Sequence, residues 1–264
     1  MKKEDIYNLP KYYDIAFSWD LSEEIYFLLD VFKKNVPFEV NNVLEPACGT
    51  GRYLIELPKY KNFSKIVGYD LNPEMVEYSN DKIKDKRLQE IASVAKDDMI
   101  TAKFSEQFDL AINMINSIGY ITKDEDILQH FRNTGECVKK DGLYIVQLNC
   151  AYSSFEKPMF VEWEMQSQGT KVKMKWTINS EDRKNKLSYQ SSKMEVIDID
   201  KDKKFKIEDE HVMRLWLFED LKNLFQKSGL FKLISIYDKE FKEVNMTKEI
   251  NGEMGNLYFV LKRI

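Results

Sequence analysis

The 264-residue chain carries 40 basic and 44 acidic side chains, for a net charge of −4. This balance disfavours binding to the phosphates of a long nucleic acid, so we expect no nucleic-acid partner. The hydrophobic fraction of 43% is enough for a large core, either in one domain or in one domain with an insertion. No run approaches the ~20 apolar residues that a membrane helix needs, so we expect no membrane partner.

The cysteines are few and widely spaced. Cys48, Cys137 and Cys150 are odd in number and include no closely spaced pair. This pattern excludes a disulfide framework and gives no zinc-type ligand pair. The sequence therefore predicts a reduced, cytoplasmic protein with no metal site.

The first part of the chain predicts an alternating α/β domain behind an aromatic segment. Tyr12 and Tyr13 precede an amphipathic helix at 21–34. From residue 40 onward, short β-rich apolar runs alternate with helical patterns, which is typical of a parallel sheet. The predicted strands are 42–46, 65–70, 89–95, 108–115 and 143–149, and the predicted helices between them are 51–59, 73–84 and 123–139.

Local signals predict where two of these helices begin and end. Asn72 is placed as an N-cap, with Pro73 at the first helical position. Thr122 and Glu125 have the spacing of a capping box for the helix at 123–139. Gly142 is expected to end that helix.

The alternating α/β rhythm stops after Asn149. Residues 159–213 alternate apolar and polar side chains, which predicts antiparallel strands inserted into the domain. A further helix ends at Gly229, and two last strands are predicted at 231–237 and 255–262. The expected organisation is a helical, aromatic cap at 1–39, a nucleotide-binding domain at 40–150 and 214–264, and a lid at 151–213.

The position of the insertion predicts its role as a lid. It leaves directly after the strand that ends at Asn149, at the carboxyl edge of the parallel sheet. Ligands bind at this edge in open α/β folds. We therefore expect the lid to stand over the site, with the N-terminal tyrosines on the opposite side of the same cleft.

The most informative stretch is residues 43–51, where an apolar strand runs through Gly49 and Gly51 into a helix. Glycines let the backbone turn tightly and approach a ligand, although a tight turn without a ligand has the same pattern. Asp70 ends the next predicted strand, where a carboxylate can accept both hydroxyl protons of a ribose. Asp97 and Asp98 follow the third strand, where adenine would lie or where both acids would simply face water.

Residues 45–51 resemble the first motif of class I S-adenosylmethionine (SAM) dependent methyltransferases, and the likeness extends over roughly 40–149. It implies a Rossmann-like, seven-stranded, mostly parallel sheet with helices on both faces. It also implies SAM as cofactor and S-adenosylhomocysteine (SAH) as product. The cofactor-binding residues that we expect are Tyr13, Glu45, Ala47, Gly49, Gly51, Asp70, Leu71, Asp98, Met99 and Asn113.

Within that family the chain resembles enzymes that methylate small metabolites, including N-methyltransferases of amino sugars and of glycine-like amines. The likeness rests on the N-terminal tyrosines, the loop 116–120 and the inserted strands. It implies methyl transfer to a small soluble acceptor, expected at nitrogen, by a monomer or homodimer. Tyr120 and His211 are the catalytic candidates, each with a purely structural alternative. Tyr120 replaces a histidine, and Gln147 replaces an aspartate, that some relatives carry.

Two other functions are weighed against this one. Nicotinamide-dependent oxidoreductases use the same strand–turn–helix unit, but their third glycine would fall at Leu54. A catalytically silent SAM-binding regulator remains open, because residues that contact the acceptor carry no recognisable motif.

Overall fold

The computed structural model describes residues 5–152, 154–199, 202–246 and 254–264. The first four residues of the predicted cap and residues 247–253 of the predicted nucleotide-binding domain lie outside the described residues. No helix within the described ranges is long and apolar enough to cross a membrane.

Seven strands form the main sheet in the order β10-β11-β5-β4-β1-β2-β3. Their bounds are β1 Asn42–Pro46, β2 Lys65–Asp70, β3 Ala92–Lys96, β4 Phe108–Asn113, β5 Val138–Leu148, β10 Phe231–Tyr237 and β11 Leu257–Arg263. Strands β1 to β5 pair in parallel, whereas β11 is antiparallel to both of its neighbours. The mostly parallel, seven-stranded sheet is confirmed.

Helices cover both faces of this sheet. The helices are α1 Pro10–Ala16, α2 Ser22–Asn35, α3 Arg52–Glu56, α4 Pro73–Asp85, α5 Asp124–Cys137 and α6 Phe218–Ser228, and the short 3-10 helices are Ile6–Asn8, Leu57–Lys59 and Ser117–Tyr120. Apolar side chains of α2, α3 and α4 pack in one core cluster. Those of α5 and α6 pack in another. The two layers enclose the sheet as predicted.

Two of the predicted helix boundaries are wrong. Helix α5 begins at Asp124 after Lys123, with no side-chain cap, so Thr122 forms no capping box. The helix ends at Cys137, because Val138 already pairs with β4. Gly142 lies inside β5, where a Cβ atom would stand 2.6 Å from the Asp109 carbonyl oxygen. Gly142 lets β5 approach β4 closely, and it does not end a helix.

Three strands begin away from their predicted positions, and one of them, β11, starts at Leu257 rather than at residue 255. Strand β3 starts at Ala92 rather than at residue 89, because Ile91 and Ala92 both donate backbone hydrogen bonds to the Leu88 carbonyl in a turn. Strand β5 starts five residues early, since its pairing with β4 continues past an irregularity between Phe108 and Leu110. Pairing with neighbouring strands therefore determines where these strands begin, and the pattern of side chains in the sequence does not.

The insertion forms a separate four-stranded antiparallel sheet in the order β6-β7-β8-β9. Its strands are β6 Met159–Ser167, β7 Thr170–Asp182, β8 Leu187–Asp198 and β9 Lys203–Arg214. One face of the sheet is apolar and buried, with Val172, Met174 and Met194 at its centre. The antiparallel insertion follows the predicted alternation of apolar and polar side chains.

The N-terminal segment packs directly on this sheet. Ile15 lies in the same apolar cluster as Met174. The Tyr12 hydroxyl donates to Asp198 at 3.1 Å, and Trp163 Nε1 donates to the Ala16 carbonyl at 2.7 Å. The expectation that lid and N-terminal tyrosines lie on opposite sides of a cleft is therefore wrong for Tyr12. Helix α1 supplies the apolar face that the lid sheet needs to complete its core.

Candidate cofactor and acceptor site

The loop between β1 and α3 is held in an unusual backbone conformation. Ala47, Gly49 and Gly51 have φ angles of 52°, 53° and 68°, in the left-handed region. For alanine this conformation costs roughly 1–2 kcal/mol, which surrounding hydrogen bonds must offset. The Cys48 amide donates to the Tyr69 carbonyl at 3.0 Å, and the Gly49 amide donates to the Asp70 carboxylate at 2.8 Å. The loop is thereby fixed at the carboxyl edge of the sheet.

A cleft opens above this loop and encloses about 380 Å³ of space that is continuous with solvent. Three segments line it: helix α1, the β1–α3 loop with the start of α3, and the loop after β4. Its lining residues are Tyr13, Phe17, Glu45, Ala47, Cys48, Gly49, Thr50, Arg52, Tyr53, Met114, Ile115 and Ser117. Four of the ten predicted cofactor residues, namely Tyr13, Glu45, Ala47 and Gly49, therefore meet in one place.

Two charged side chains in the cleft have hydrogen-bonding groups without a partner among the described residues. Glu45 is 4% exposed, and its Oε2 atom is unpaired. Arg52 donates from Nη2 to the Trp19 carbonyl at 2.6 Å, whereas its buried Nη1 is unpaired. Burial raises the pKa of the Glu45 carboxyl well above its usual value, and Arg52 acts in the opposite direction. Unpaired buried groups of this kind are costly, so each of the two atoms calls for a polar partner.

This pair fits the end of an α-amino acid. A carboxylate can accept from an ammonium group, and a guanidinium nitrogen can donate to a carboxylate. Sequence reasoning found Glu45 but missed Arg52. The only local signal for Arg52 was its position at the start of the helix that follows Gly51.

Asp70 lies at the end of β2 beside the cleft. One carboxylate oxygen accepts from the Gly49 amide at 2.8 Å, and the other accepts from the Asn72 amide at 2.9 Å. Burial raises the pKa of Asp70, and these backbone hydrogen bonds lower it. Each oxygen keeps a further lone pair for a ribose hydroxyl. Leu71 follows with 62% of its side chain exposed and offers an apolar surface next to that position.

The loop that contains Asp98 and Met99 continues along the same edge, outside the cleft lining. Asp98 accepts from the Ile100 amide at 2.8 Å. The Met99 carbonyl accepts from Nδ1 of His130 at 2.8 Å, and Nε2 of this buried histidine lies 2.7 Å from the Tyr144 hydroxyl. His130 is therefore a structural residue that anchors the loop to α5.

Asn113 and Gly51 are not among the residues that line the cleft. Asn113 is fully buried, donates to the Pro46 carbonyl at 2.9 Å and accepts from the Ile118 amide at 3.0 Å. It ties the end of β1 to the loop after β4. A Cβ atom on Gly51 would stand 3.3 Å from Ser79. A direct cofactor contact by either residue stays a prediction.

Gln147 holds the loop after β4. Its Oε1 atom accepts from the Ile115 amide at 2.6 Å, and its carbonyl accepts from the Asn116 amide at 3.2 Å. Ile115 and Asn116 both have left-handed φ angles, 55° and 56°. The Gln147 Nε2 atom donates to Tyr258, which donates in turn to the buried Glu24 carboxylate. This buried network fixes the wall of the cleft that carries Met114, Ile115 and Ser117.

The two predicted catalytic residues lie together next to this wall. The Tyr120 hydroxyl lies 3.2 Å from Nδ1 of His211 and 2.5 Å from the hydroxyl of Tyr7. His211 comes from lid strand β9, and Tyr7 comes from the N-terminal segment. The Trp176 ring of β7 stacks on the His211 ring with 4.7 Å between the ring centroids. Sequence reasoning missed Tyr7, because nothing local distinguishes it from its neighbouring tyrosines.

Comparison with known proteins gives this geometry a family context. Residues 43–142 match a family model described as a methyltransferase domain. Over 143 residues the chain is 23% identical to the dTDP-3-amino-3,4,6-trideoxy-alpha-D-glucopyranose N,N-dimethyltransferase of Streptomyces venezuelae, covering 54% of this chain and 55% of that protein. The chain spans about half the length of two curated relatives that it matches, 46% of one and 55% of the other.

Solved structures extend the likeness over the whole chain. A SAM-dependent methyltransferase from Clostridium acetobutylicum aligns with a TM-score of 0.75 at 20% identity, covering 98% of this chain and 99% of that one. The SAM-bound amino pentose methyltransferase CalS10 from Micromonospora echinaspora aligns with a TM-score of 0.71 at 13% identity, covering 100% and 99%. At such identities the likeness shows the fold.

The fold is that of the class I SAM-dependent methyltransferases, and the glycine loop with Asp70 occupies its cofactor edge. Residues 43–142 match a methyltransferase domain, and CalS10, which shares the fold, is a SAM-bound methyltransferase. These findings confirm the predicted methyltransferase fold and agree with SAM as the expected cofactor. Among the residues that the structure describes, no group of His, Cys, Asp and Glu has the arrangement of a metal site.

Proposed function

We propose that the protein transfers a methyl group from SAM to the nitrogen of a small soluble amine. The observation that carries the proposal is the unpaired pair of Glu45 Oε2 and Arg52 Nη1 in one cleft. The two groups suit the ammonium and the carboxylate of the methionine portion, whereas Asp70 suits the ribose. A nicotinamide dinucleotide has no amino-acid end to satisfy them.

We favour a small acceptor because the N-terminal segment and the lid both lie next to the cleft. Helix α1 lines one side with Tyr13 and Phe17, and the lid reaches the 3-10 helix Ser117–Tyr120 through His211. Amino sugars are favoured, since the Streptomyces venezuelae relative and CalS10 are named for amino-sugar substrates. The mixed surface charge of the chain also favours a small acceptor over a polyanion.

SAM supplies an electrophilic methyl group on a sulfonium, so the protein's own task is to place and deprotonate the nucleophile. Good placement alone accounts for roughly 7–11 kcal/mol of a barrier in intramolecular models. Met114 and Ile115 give the cleft an apolar wall. The phenol of Tyr120 and the imidazole of His211 are the groups that can receive a proton from an ammonium acceptor.

Calorimetry with two related ligands tests the assignment of the cleft. SAH carries the amino-acid end, whereas 5′-methylthioadenosine shares its nucleoside and sulfur but lacks that end. Glu45→Gln and Arg52→Gln should each weaken SAH binding by about 1.5–3 kcal/mol, the scale of hydrogen bonds to charged groups. Binding of 5′-methylthioadenosine should be unchanged in both variants. Equal losses for the two ligands, or none for SAH, would contradict the assignment.

Transfer itself is tested with methyl-labelled SAM and a panel of acceptors. The panel contains nucleotide-linked amino sugars, free amino sugars and amino acids, each beside its hydroxyl analogue. We expect labelled product only from amines, detected by mass. A wild-type protein that binds SAH but labels no member of the panel, or labels the hydroxyl analogues instead, would reject N-methylation.

A further inference from the structure

Four polar side chains form a continuous hydrogen-bonded chain at the junction of the N-terminal segment, the main domain and the lid. Tyr7 and Tyr120 join through their hydroxyls at 2.5 Å, and Tyr120 lies 3.2 Å from Nδ1 of His211. On the other side of the ring, Nε2 of His211 lies 2.8 Å from the Ser192 hydroxyl. Both ring nitrogens of the histidine thus face a hydroxyl group.

The His211 ring is held in place by the lid. It is 5% exposed, and the Trp176 ring stacks on it at 4.7 Å with an interplanar angle of 8°. Trp176 is itself fixed by a 2.5 Å hydrogen bond from Nε1 to Gln190. Tyr120, in contrast, is 39% exposed. The accessible end of the chain is therefore the phenol, and the shielded end is the imidazole.

The hydroxyls of Tyr120 and Ser192 differ as hydrogen-bonding partners of His211. This difference sets the direction in which the hydrogen bonds run. A phenol is more acidic than an alkyl hydroxyl, so it is the better donor and the poorer acceptor. The favoured arrangement has Tyr120 donating to Nδ1, while Nε2–H of His211 donates to the Ser192 oxygen. Tyr7 then donates to Tyr120. In this tautomer His211 has a lone pair directed at Tyr120.

We propose that His211 is the terminal base for the acceptor's proton, that Tyr120 relays this proton, and that Ser192 is a positioning residue that holds the required tautomer. This inference rests on the proposed N-methylation. It gives a function to the replacement of a histidine by Tyr120, since the imidazole is supplied by the lid instead.

The proton transfer balances as follows. The acceptor ammonium gives a proton to the Tyr120 oxygen while the phenolic proton of Tyr120 passes to Nδ1 of His211. The products are a neutral amine, an unchanged tyrosine and an imidazolium that donates to Ser192. The amine nitrogen then forms its bond to the methyl carbon as the carbon–sulfur bond breaks, and that electron pair stays on sulfur. The imidazolium later releases its proton to solvent along the same path.

The groups around Tyr120 favour its role as a proton relay to His211. Burial raises the pKa of Tyr120, so the phenol holds a proton at neutral pH and serves as a relay rather than as the final acceptor. The hydrogen bond from Tyr7 acts in the opposite direction and eases the transfer. Asp5 of the N-terminal segment and Asp209 of β9 are the nearby acids that interact with Tyr120.

Nitrogen-15 NMR of the imidazoles tests the tautomer without any acceptor. The chain has two histidines, so the spectrum is simple, and His130→Gln assigns the signals. His130 donates from Nδ1 to a carbonyl and provides an internal reference for the Nδ1–H form. We expect His211 in the Nε2–H form in the SAH complex, and a shift toward a mixture in Ser192→Ala. An Nδ1–H form of His211 in the wild type would overturn the proposal.

The pH dependence of transfer separates a base from a merely structural residue. With an amine acceptor found in the panel, His211→Asn and Tyr120→Phe should reduce transfer about 10²-fold or more at pH 7. The deficit should shrink above the pKa of the acceptor amine, which then needs no base. SAH affinity should stay within about twofold. A deficit that is constant with pH would overturn the relay.

Matched variants on strand β8 complete the test. Ser192→Ala should reduce transfer at pH 7, and Ser192→Thr, which retains the hydroxyl, should restore it. Ser191→Ala is the control, because Ser191 bonds to Asn179 on the opposite face of the strand. Equal loss in Ser192→Thr and Ser192→Ala would count against a tautomer role. A wild type without any transfer would reject the proposed function, whereas the NMR result would still decide the tautomer.

Discussion

Asp70 combines two roles in one carboxylate. It fixes the glycine loop by accepting from the Gly49 amide, and it keeps lone pairs available at the edge where a ribose would lie. Asp70→Ala should therefore weaken SAH binding by about 1.5–3 kcal/mol, because charged hydrogen bonds are lost and the loop is loosened. Asp98→Ala should weaken SAH binding by a smaller amount, since it removes one expected contact with the adenine amino group.

Calorimetry with SAH measures these losses, and Asp81→Ala on the exposed face of α4 is the control. Asp70→Ala should also weaken the binding of 5′-methylthioadenosine, which carries the same ribose. That behaviour separates Asp70 from Glu45 and Arg52, whose loss should affect SAH alone. A stable Asp70→Ala protein with wild-type affinity for both ligands would place the ribose elsewhere.

At the residue scale, the sequence predicted what is encoded locally. Gly49 follows a strand at a fixed spacing, and Asp70 ends the next strand, so both positions could be located from short windows. Arg52, Tyr7 and Ser192 could not be identified as site residues in this way. The importance of Arg52 depends on an unpaired atom, and that of Tyr7 and Ser192 depends on contacts with other elements, Tyr120 and His211 respectively.

At the scale of elements, α5 and the adenine-side loop are joined by His130. Burial lowers the pKa of this histidine from 6.5 to about 4. The folded protein thus binds its proton less readily than the unfolded chain does. Stability from this residue is fully present above pH 6.5 and is lost as pH falls toward 4, by up to about 3 kcal/mol.

Urea unfolding of the wild type and of His130→Gln at pH 7 and at pH 4.5 measures this contribution. Carboxyl groups titrate in both proteins. The difference between the two proteins in the change of unfolding free energy with pH therefore isolates the contribution of His130. The wild type should lose about 2–3 kcal/mol more than the variant over this interval. Parallel pH dependence in the two proteins would show that folding does not lower the pKa of His130.

Helix α5 also shows why local signals fail. Thr122 and Gly142 have residue types that favour a helix start and a helix end, and neither serves in that way. Pairing of β5 with β4 begins at Val138 and takes the chain out of the helix before Gly142 is reached. Hydrogen bonds between distant strands outweigh capping preferences of about 1 kcal/mol.

At the scale of the molecule, the lid and the N-terminal segment form a single cover. Periodicity predicted both the parallel domain and the antiparallel insertion, because each pattern lies within one stretch of sequence. The packing of Ile15 against Met174 joins residues far apart in the chain, so it could not be predicted from either pattern. The same helix that completes the lid core also presents Tyr13 and Phe17 to the cofactor cleft.

This coupling predicts that the lid contributes to cofactor binding as well as to transfer. The Ala151 amide donates to the Trp216 carbonyl at 2.8 Å, so the two ends of the insertion are adjacent and a short glycine-serine linker can replace residues 155–213. Without the lid, the apolar side of α1 has no surface to cover, and Tyr13 and Phe17 are no longer held at the cleft. SAH affinity should fall at least tenfold, about 1.4 kcal/mol.

Calorimetry on three proteins checks this expectation. The lid-deleted protein and a version that also lacks residues 1–17 should both bind SAH more weakly than the wild type, because the apolar surface that covers α1 is lost with the lid. Met174→Asp in the full chain, which places a charge in the buried lid face, should produce a similar loss without any deletion. Wild-type SAH affinity in the lid-deleted protein would show that α1 holds its position unaided. The lid would then act on the acceptor alone.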